Sequence, residues 1–219
     1  MVLCDSIIII LSHNTILRTL FSRDRSEENS TVSNGVFKSA TIVQRAQKKV
    51  LSKVVSRGVI KHFVSDAATR IFDGLYMLLS AYYNKVTAEK VVKNIIKLVV
   101  KLGVVVRGGN FGIEEENELN SVQKQMHQLC LTLISFGKVA YSYDRNYLVS
   151  MLNETHMKIN RLVVKSLLSD KSRKRLDMVF EHISKENLLD RLFRVDGEYT
   201  TLLASLVNDL ETLIDSKDL

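Results

Sequence analysis

The residues that could do chemistry in this chain are few, and the first candidate is a glycine-rich turn, Gly108-Gly109-Asn110-Phe111-Gly112. A phosphate-binding loop follows a strand and opens a helix, and its glycines cradle the phosphate. Here the glycines follow a segment with helical spacing, and no Gly-Lys-Ser or Gly-Lys-Thr sequence accompanies them. We therefore interpret the turn as a connection between two helices rather than as a nucleotide site.

The second candidate is a metal site at His127 and Cys130, which lie three residues apart and so share one face of a helix. No second pair completes such a site, since the remaining histidines are scattered along the chain. Cys130 has neither a cationic neighbour nor a helix terminus to activate its thiol. We accordingly expect no metal, no cofactor and no catalytic residue, and the sequence predicts a protein that is not an enzyme.

The strongest chemical signal is a basic segment, residues 36–65, in which every charged side chain is cationic. Its seven lysines and arginines equal the net charge of +7 of the whole chain: Lys38, Arg45, Lys48, Lys49, Lys53, Arg57 and Lys61. Such a patch predicts an anionic partner, either a membrane surface, a nucleic acid or an acidic protein face such as a cytoskeletal filament. Nucleic acid is the weakest of the three, because only Phe37 and Phe63 stand among the charges to stack on bases.

Residues 87–107 are predicted to form one long helix against which the other helices of the domain pack. Lys90, Lys93, Lys97 and Lys101 recur at steps of three and four, so they form one stripe along a helix. Nearly every other residue is apolar, which is typical of a central helix in a helical protein or of one that lines an apolar cavity. The segment is long enough to span a bilayer, but four central lysines are very costly in hydrocarbon, and a soluble protein is predicted.

The composition predicts an all-α protein. The 219 residues are 46% hydrophobic and include nine glycines and no proline, which favours long helices joined by short turns. The apolar spacing predicts a single bundle of about six to seven helices. They run over residues 37–64, 66–83, 87–107, 114–137, 143–168 and 170–183, and a last region over 188–214 breaks at Asp196-Gly197.

The N-terminal region differs from the rest of the chain. Residues 1–35 are largely polar after a short isoleucine run and predict a flexible leader, which leaves one helical domain over residues 36–219. The isoleucine run is too short to span a bilayer, and Asp5 stands where a signal peptide carries basic residues. Cys4 and Cys130 do not form a disulfide framework, so a reducing, cytoplasmic setting is predicted.

Five strings in the helical region carry a family resemblance through their order and spacing: Gln44–Lys53, Asp73–Tyr76, Val91–Lys101, Arg107–Gly112 and Leu133–Gly137. Together they resemble the tumour necrosis factor alpha-induced protein 8 family, also called the TIPE family. The resemblance covers the chain from Phe37 to the C terminus, and residues 1–35 lie outside it. It implies one α-helical domain, similar to a death effector domain with reversed topology, that encloses an elongated apolar cavity.

The resemblance also implies a function. Members of the family are described as phosphoinositide-binding and transfer proteins that act in apoptosis, inflammation and growth signalling. Their cavity takes the acyl chains, while cations at its mouth and on the first helix meet the head group. By position, Lys48 and Lys49 match the family's pair on the first helix and Arg107 matches an arginine at the mouth; a second basic position falls at Gln123, with Lys124 beside it.

These inferences give a set of expected site residues for a cytoplasmic protein that associates reversibly with membranes. The head-group residues are Lys48, Lys49, Arg107 and Lys124. The residues that dock on the membrane surface are Arg45, Lys53 and Arg57. The cavity is expected to be lined by Ile95, Val99, Leu102 and Val106. The alternative is a protein–protein adaptor in cell-death or stress signalling, whose basic helix binds an acidic signalling protein or a cytoskeletal surface.

Overall fold

In a computed structural model of the chain, residues 37–54, 66–107, 112–165 and 170–215 are described, and they form eight helices without a strand. The helices are α1 (Ser39–Val54), α2 (Asp66–Tyr82), α3 (Lys85–Arg107), α4 (Ile113–Lys138), α5 (Arg145–Lys165), α6 (Asp170–Ile183), α7 (Glu186–Leu192) and α8 (Thr200–Asp215). The prediction of an all-α bundle is confirmed. The predicted break at Asp196-Gly197 is confirmed, since Asp196 lies between α7 and α8 with a φ of 54°. With both of these helices counted, the described residues form eight helices rather than about six to seven.

Six helices form a closed ring of packed neighbours. In order around the ring they are α2, α3, α6, α5, α4 and α8, and α8 returns to α2. Helix α1 packs against α3 and α2, and α7 packs against α5. A ring of amphipathic helices directs the apolar face of every member inward, so the core lies inside it.

Helix α3 is buried on most of its sides, as its composition predicts, because α2 and α6 flank it in the ring and α1 packs against it as well. Leu98, Val99 and Val100 are consecutive and fully buried, so protein surrounds α3 at that level on all sides except the lysine stripe. Burial of each such side chain contributes about 1.5–3 kcal/mol relative to exposure. Its buried apolar residues are Ala88, Val91, Val92, Ile95, Ile96, Leu98, Val99, Val100, Leu102 and Val106.

Helix α1 is docked on the bundle. Val43 and Gln47 are buried on its inner face. Ser39 fixes its first residue to α2, because the Ser39 backbone N–H donates to Asp73 Oδ1 at 3.1 Å and the Ser39 hydroxyl donates to the Thr69 carbonyl at 3.0 Å. One face of α1 is thereby buried, and the opposite face is left at the surface.

Two helix starts are set by side-chain caps. The Asn84 Oδ1 accepts from the Thr87 backbone N–H at 2.8 Å, so α3 begins at Lys85. The predicted start at Thr87 is wrong, because Thr87 occupies the third helical position rather than the cap. The Asp144 Oδ1 accepts from the Tyr147 N–H at 3.0 Å in the same way, and α5 begins after Asp144.

Candidate anion-binding surface

The outward face of α1 carries the basic side chains that the sequence singles out. Arg45, Lys48 and Lys49 are exposed, and α1 contains no acidic residue. Successive residues of a helix project about 100° apart, so Lys48 and Lys49 point in different directions. The buried face of α1 runs along Val43 and Gln47 and is flanked by the half-buried Ile42 and Ala46. Lys48 therefore points away from the bundle, whereas Lys49 lies at the edge of α1.

The described packing does not bring Lys124, another predicted head-group residue, to this pair. Lys124 is exposed on α4, whose main neighbours are α5 and α8, whereas α1 packs on α3 and α2. Arg107 ends α3 and Lys53 lies in the last turn of α1, but both side chains fall outside the described part of the chain. Arg57 lies outside the described residues altogether, as does the leader expected over residues 1–35.

A cluster of cations around Lys97 was not singled out by the sequence analysis. Lys97 is half-buried on α3. Its pKa is lowered from the ordinary value of 10.5, first by burial and then by the charges of Arg175, Lys93, Lys49 and Lys171, in that order. These residues lie on α3, α6 and α1, so three helices direct positive charge toward one half-buried ammonium group.

Contacts at the α3–α6 interface fix this cluster. The Lys101 Nζ donates to the Ser172 Oγ at 2.8 Å across 71 residues of sequence, and Ser172 is fully buried. Lys93 pairs with Glu89 one turn earlier on α3. Part of this cluster could have been recognised in the sequence of α6, since Lys171 and Arg175 are four residues apart and share a face of the helix. No local pattern could bring that face to the lysine stripe of α3.

The predicted cavity residues lie in the core. Ile95, Val99, Leu102 and Val106 are all at most 1% exposed. A small apolar cavity of about 20 Å³ lies elsewhere inside the ring, lined by Leu75, Leu78, Leu79, Leu133, Leu152, Ile183, Leu188, Leu189 and Leu192. That volume is close to the space of one water molecule and much smaller than an acyl chain. An acyl-chain cavity lined by the four α3 residues therefore stays a prediction.

Metal and membrane-spanning features can be assessed for the described residues. Among them, no three His, Cys, Asp or Glu side chains come together in a way that could hold a metal ion. His127 is half-buried and Cys130 is a buried free thiol. None of the helices described combines the length and the apolar composition needed to cross a bilayer.

The fold and the surface define a class of protein: a closed helical bundle that carries a docked, strongly cationic first helix. A family model described as "Tumor necrosis factor alpha-induced protein 8-like" matches residues 37–217. Tumor necrosis factor alpha-induced protein 8 of Homo sapiens is 33% identical over 195 residues, which are 89% of this chain and 98% of the relative. The chain therefore belongs to the tumour necrosis factor alpha-induced protein 8 family.

Two further relatives come from other animals. Tumor necrosis factor alpha-induced protein 8-like protein 3 of Xenopus laevis is 32% identical over 197 residues, which are 90% of this chain and 97% of the relative. Protein salivary glands marred of Drosophila melanogaster is 33% identical over 189 residues, which are 86% of this chain and 100% of the relative. The matches extend over almost the whole length of each relative, so they concern the entire helical domain.

Proposed function

We propose that this protein binds phosphoinositides, docks reversibly on anionic membranes through α1, and acts without catalysis as a regulator of apoptosis and of stress or growth signalling. The observation that carries the proposal is the division of α1 into two faces. Val43 and Gln47 are buried against the bundle, while Arg45, Lys48 and Lys49 remain at the surface. A rigidly held cationic face is suited to a surface of negative charge.

Membership of the family supports the lipid and signalling parts of the proposal. In it, Lys48, Lys49, Arg107 and Lys124 contact the phosphates of the head group. The acyl chains enter the apolar interior of the helical ring. Transfer of two chains from a membrane to water costs on the order of 20 kcal/mol, at about 0.8 kcal/mol per methylene, so surface lysines alone cannot extract a lipid.

The apolar cavity inside the ring is too small to hold an acyl chain without a change in packing. A chain that enters at this cavity must widen the ring there, because the cavity is about 20 Å³. The cavity is wholly apolar and is lined from α2, α4, α5, α6 and α7, so expansion there exposes no buried polar group to the chain. The acyl chains in this proposal occupy the space that opens inside the ring.

Binding to vesicles tests the docking step. Sedimentation with phosphatidylcholine vesicles that contain phosphatidylinositol bisphosphate measures partitioning of the wild type and of a Lys48→Gln/Lys49→Gln variant. Each lysine near an anionic leaflet contributes about 1 kcal/mol, so the double substitution should weaken binding by about thirtyfold. The effect should shrink at high salt, since surface charges are screened.

A matched control distinguishes the effect of the α1 surface on vesicle binding from the effect of total charge. Lys85 and Lys185 are exposed away from α1, and the Lys85→Gln/Lys185→Gln variant removes the same two charges. It should bind vesicles nearly as the wild type does. If the two double variants bind alike, the α1 face is not the docking surface. Absence of vesicle binding by the wild type would favour the adaptor alternative, in which α1 meets an acidic protein or cytoskeletal surface.

A further inference from the structure

One wall of the apolar cavity is formed by α7, the shortest helix in the described part of the chain. Leu188, Leu189 and Leu192 line the cavity and are at most 3% exposed. The other lining residues belong to α2, α4, α5 and α6, which are members of the closed ring. Helix α7 packs against α5 and is not a member of the ring. The cavity is therefore closed on one side by a helix that can move without separating any two ring helices.

The backbone of α7 has little support of its own. Its seven residues make about two helical turns, and a helix of that length is unstable in water without packing. Lys185 occupies the N-cap position and gives the first turn no side-chain hydrogen bond. Helix α7 therefore depends on its side-chain contacts for its position.

The segments on either side of α7 are suited to act as hinges. Ser184 lies just before the helix, and its buried Oγ has no hydrogen-bond partner among the described residues. A buried hydroxyl without a partner is unfavourable, and it gains water as a partner when the segment opens. After the helix, Asp196 has a φ of 54°, a left-handed conformation that residues other than glycine adopt at a cost. Movement of α7 thus relieves an unfavourable arrangement at each end.

A polar contact at the surface, the α5 latch, holds α7 against the start of α5. The Arg145 guanidinium donates to Asp190 Oδ2 at 3.0 Å and lies 3.7 Å from Glu186 Oε2. The Tyr143 hydroxyl donates to the other carboxylate oxygen of Asp190, also at 3.0 Å. The three charged side chains are between 40% and 62% exposed. Exposed ion pairs contribute little stability and are screened by salt, so this latch is weak enough to open.

A second latch joins α7 to α2 and to the start of α8. The Arg191 guanidinium lies over the ring of Tyr82, 5.3 Å from its centroid, and over the ring of Tyr199 at 5.5 Å. Tyr82 ends α2, and Tyr199 directly precedes α8. Arg191 also pairs with Glu198, and both of these side chains are about half-exposed. Cation–π contacts near the surface are modest in strength, so the outer side of α7 is held by contacts that water can replace.

We propose that α7 is a gate through which an acyl chain enters the apolar interior of the bundle. When the two latches release, α7 turns about its hinges and withdraws its three leucines from the cavity wall. A chain then occupies the vacated space, and the ring widens around it. The occupant is a hydrocarbon chain because every residue that lines the cavity is leucine or isoleucine, which leaves no polar side chain to bind a head group.

The closed gate is the resting state. Exposure of Leu188, Leu189 and Leu192 to water is unfavourable, so α7 opens rarely until a chain covers them. The inference rests on the proposed function for the identity of the occupant. The opening of α7 itself can be measured without lipid, so the two proposals can fail separately.

Thiol labelling of the full chain with a small water-soluble reagent measures the opening directly. Leu189→Cys places a thiol on the gate, and Leu78→Cys is the matched control because Leu78 lines the same cavity from α2. Both are made with Cys4→Ser, which leaves the buried Cys130 as the remaining native thiol. Relative to the rate that each variant's free energy of unfolding predicts, the α7 thiol should react at least about a hundredfold faster than the α2 thiol. Equal relative rates would mean that the cavity opens only on global unfolding, and they would overturn the gate.

Charge reversal at the α5 latch tests what holds the gate closed. Arg145→Glu replaces attraction to Asp190 and Glu186 by repulsion, while a glutamate at the start of α5 suits the helix dipole. It should accelerate labelling of the α7 thiol by about tenfold. Arg70→Glu is the control, because it makes the same charge change at an exposed ion pair between α2 and α8, with Asp209, and it should change the rate less than about twofold. An equal acceleration by both variants would show that the latch does not control α7.

Uptake of a labelled lipid tests whether the gate is the entrance. Phosphatidylcholine vesicles carry phosphatidylinositol bisphosphate with pyrene on one acyl chain, and the rise of pyrene monomer fluorescence measures transfer into the protein. Arg145→Glu should take up the chain roughly fivefold faster than the wild type, and Arg70→Glu should not differ from the wild type. Equal rates in all three proteins would mean that chains enter elsewhere and would overturn the proposal. If the wild type takes up no chain although the α7 thiol reacts, the proposed lipid binding is overturned together with the acyl occupant, whereas the motion of α7 is retained.

Discussion

At the side chain of Lys97, burial and neighbouring charge act in the same direction. Both disfavour the charged ammonium, and the pKa lies below its ordinary 10.5 for that reason. The folded protein therefore holds this proton less tightly than the unfolded chain does. The resulting loss of stability is complete at neutral pH and fades as the pH rises through the lowered pKa toward 10.5.

We expect Lys97→Met to stabilise the protein. The free energy of unfolding at neutral pH should rise by roughly 0.5 kcal/mol, the size expected for relief of like-charge contacts near a surface. Lys90→Met, at an exposed position of the same helix, is the control and should have little effect. Urea unfolding measures both.

The pH dependence provides a second readout of the same substitution. The difference between Lys97→Met and the wild type should shrink as the pH approaches 10.5, because the wild-type lysine then loses its charge in both states. A difference that grows with pH, or a loss of stability in Lys97→Met at neutral pH, would contradict the proposed repulsion.

At the scale of helices, the close approach of α4 and α8 depends on a glycine. A Cβ at Gly137 would lie 2.6 Å from Val207 Cγ2, and the stiff Val207 side chain cannot move away freely. Gly74 on α2 is the contrasting case, since a Cβ there would meet Leu206 Cδ1 at 3.4 Å. Helix α2 therefore leaves room for a methyl group against α8, whereas α4 does not.

Alanine substitution should reveal this difference. Gly137→Ala should lower the free energy of unfolding by about 1–3 kcal/mol through overpacking. Gly74→Ala adds the same methyl group within a helix and should be neutral or stabilising by up to about 1 kcal/mol. Chemical unfolding of the two variants checks the prediction, and equal effects would show that α4 and α8 can separate at little cost.

The packing of helices also holds α1 against the bundle. The Ser39 hydroxyl bonds to the Thr69 carbonyl, and the rings of Phe37 and Tyr76 stack with centroids 4.0 Å apart. Both contacts tie the start of α1 to α2, so α1 should stay on the bundle in solution. The basic face is then presented in one orientation.

Loss of these contacts should loosen α1 selectively. Ser39→Ala removes a buried hydrogen bond worth about 1 kcal/mol and leaves the Thr69 carbonyl without that donor. Amide hydrogen exchange should accelerate in residues 39–54 and remain unchanged in α3. Ser80→Ala is a control, because the Ser80 hydroxyl bonds only within its own helix, to the Met77 carbonyl. Faster exchange throughout the bundle would mean that α1 is an integral part of the core.

For the whole molecule, periodicity in the sequence was sufficient to predict the all-α class and several helix bounds. The segment rich in valine and lysine was correctly expected to be buried on most sides, because its apolar residues occupy nearly the whole circumference of α3. The start of α3 was misplaced by two residues, since Asn84 and Thr87 are both good caps and only the hydrogen bond distinguishes them.

The candidate site was predicted less completely than the fold. The basic character of α1 is local and could be read from its residues, but its buried face and the edge position of Lys49 follow from docking. The cluster around Lys97 joins α3 to α6, and its fixed contact, Lys101 with Ser172, spans 71 residues. Spacing along one helix cannot reveal such a site, because it arises only when the ring closes.

Native mass spectrometry of the intact chain, purified and then incubated with phosphatidylinositol bisphosphate, tests the central claim most directly. We expect a complex with one two-chain lipid that survives removal of free lipid, because acyl chains inside the helical ring should leave slowly. A mass without lipid, before and after incubation, would contradict phosphoinositide binding and would leave α1 as a surface for an acidic protein partner.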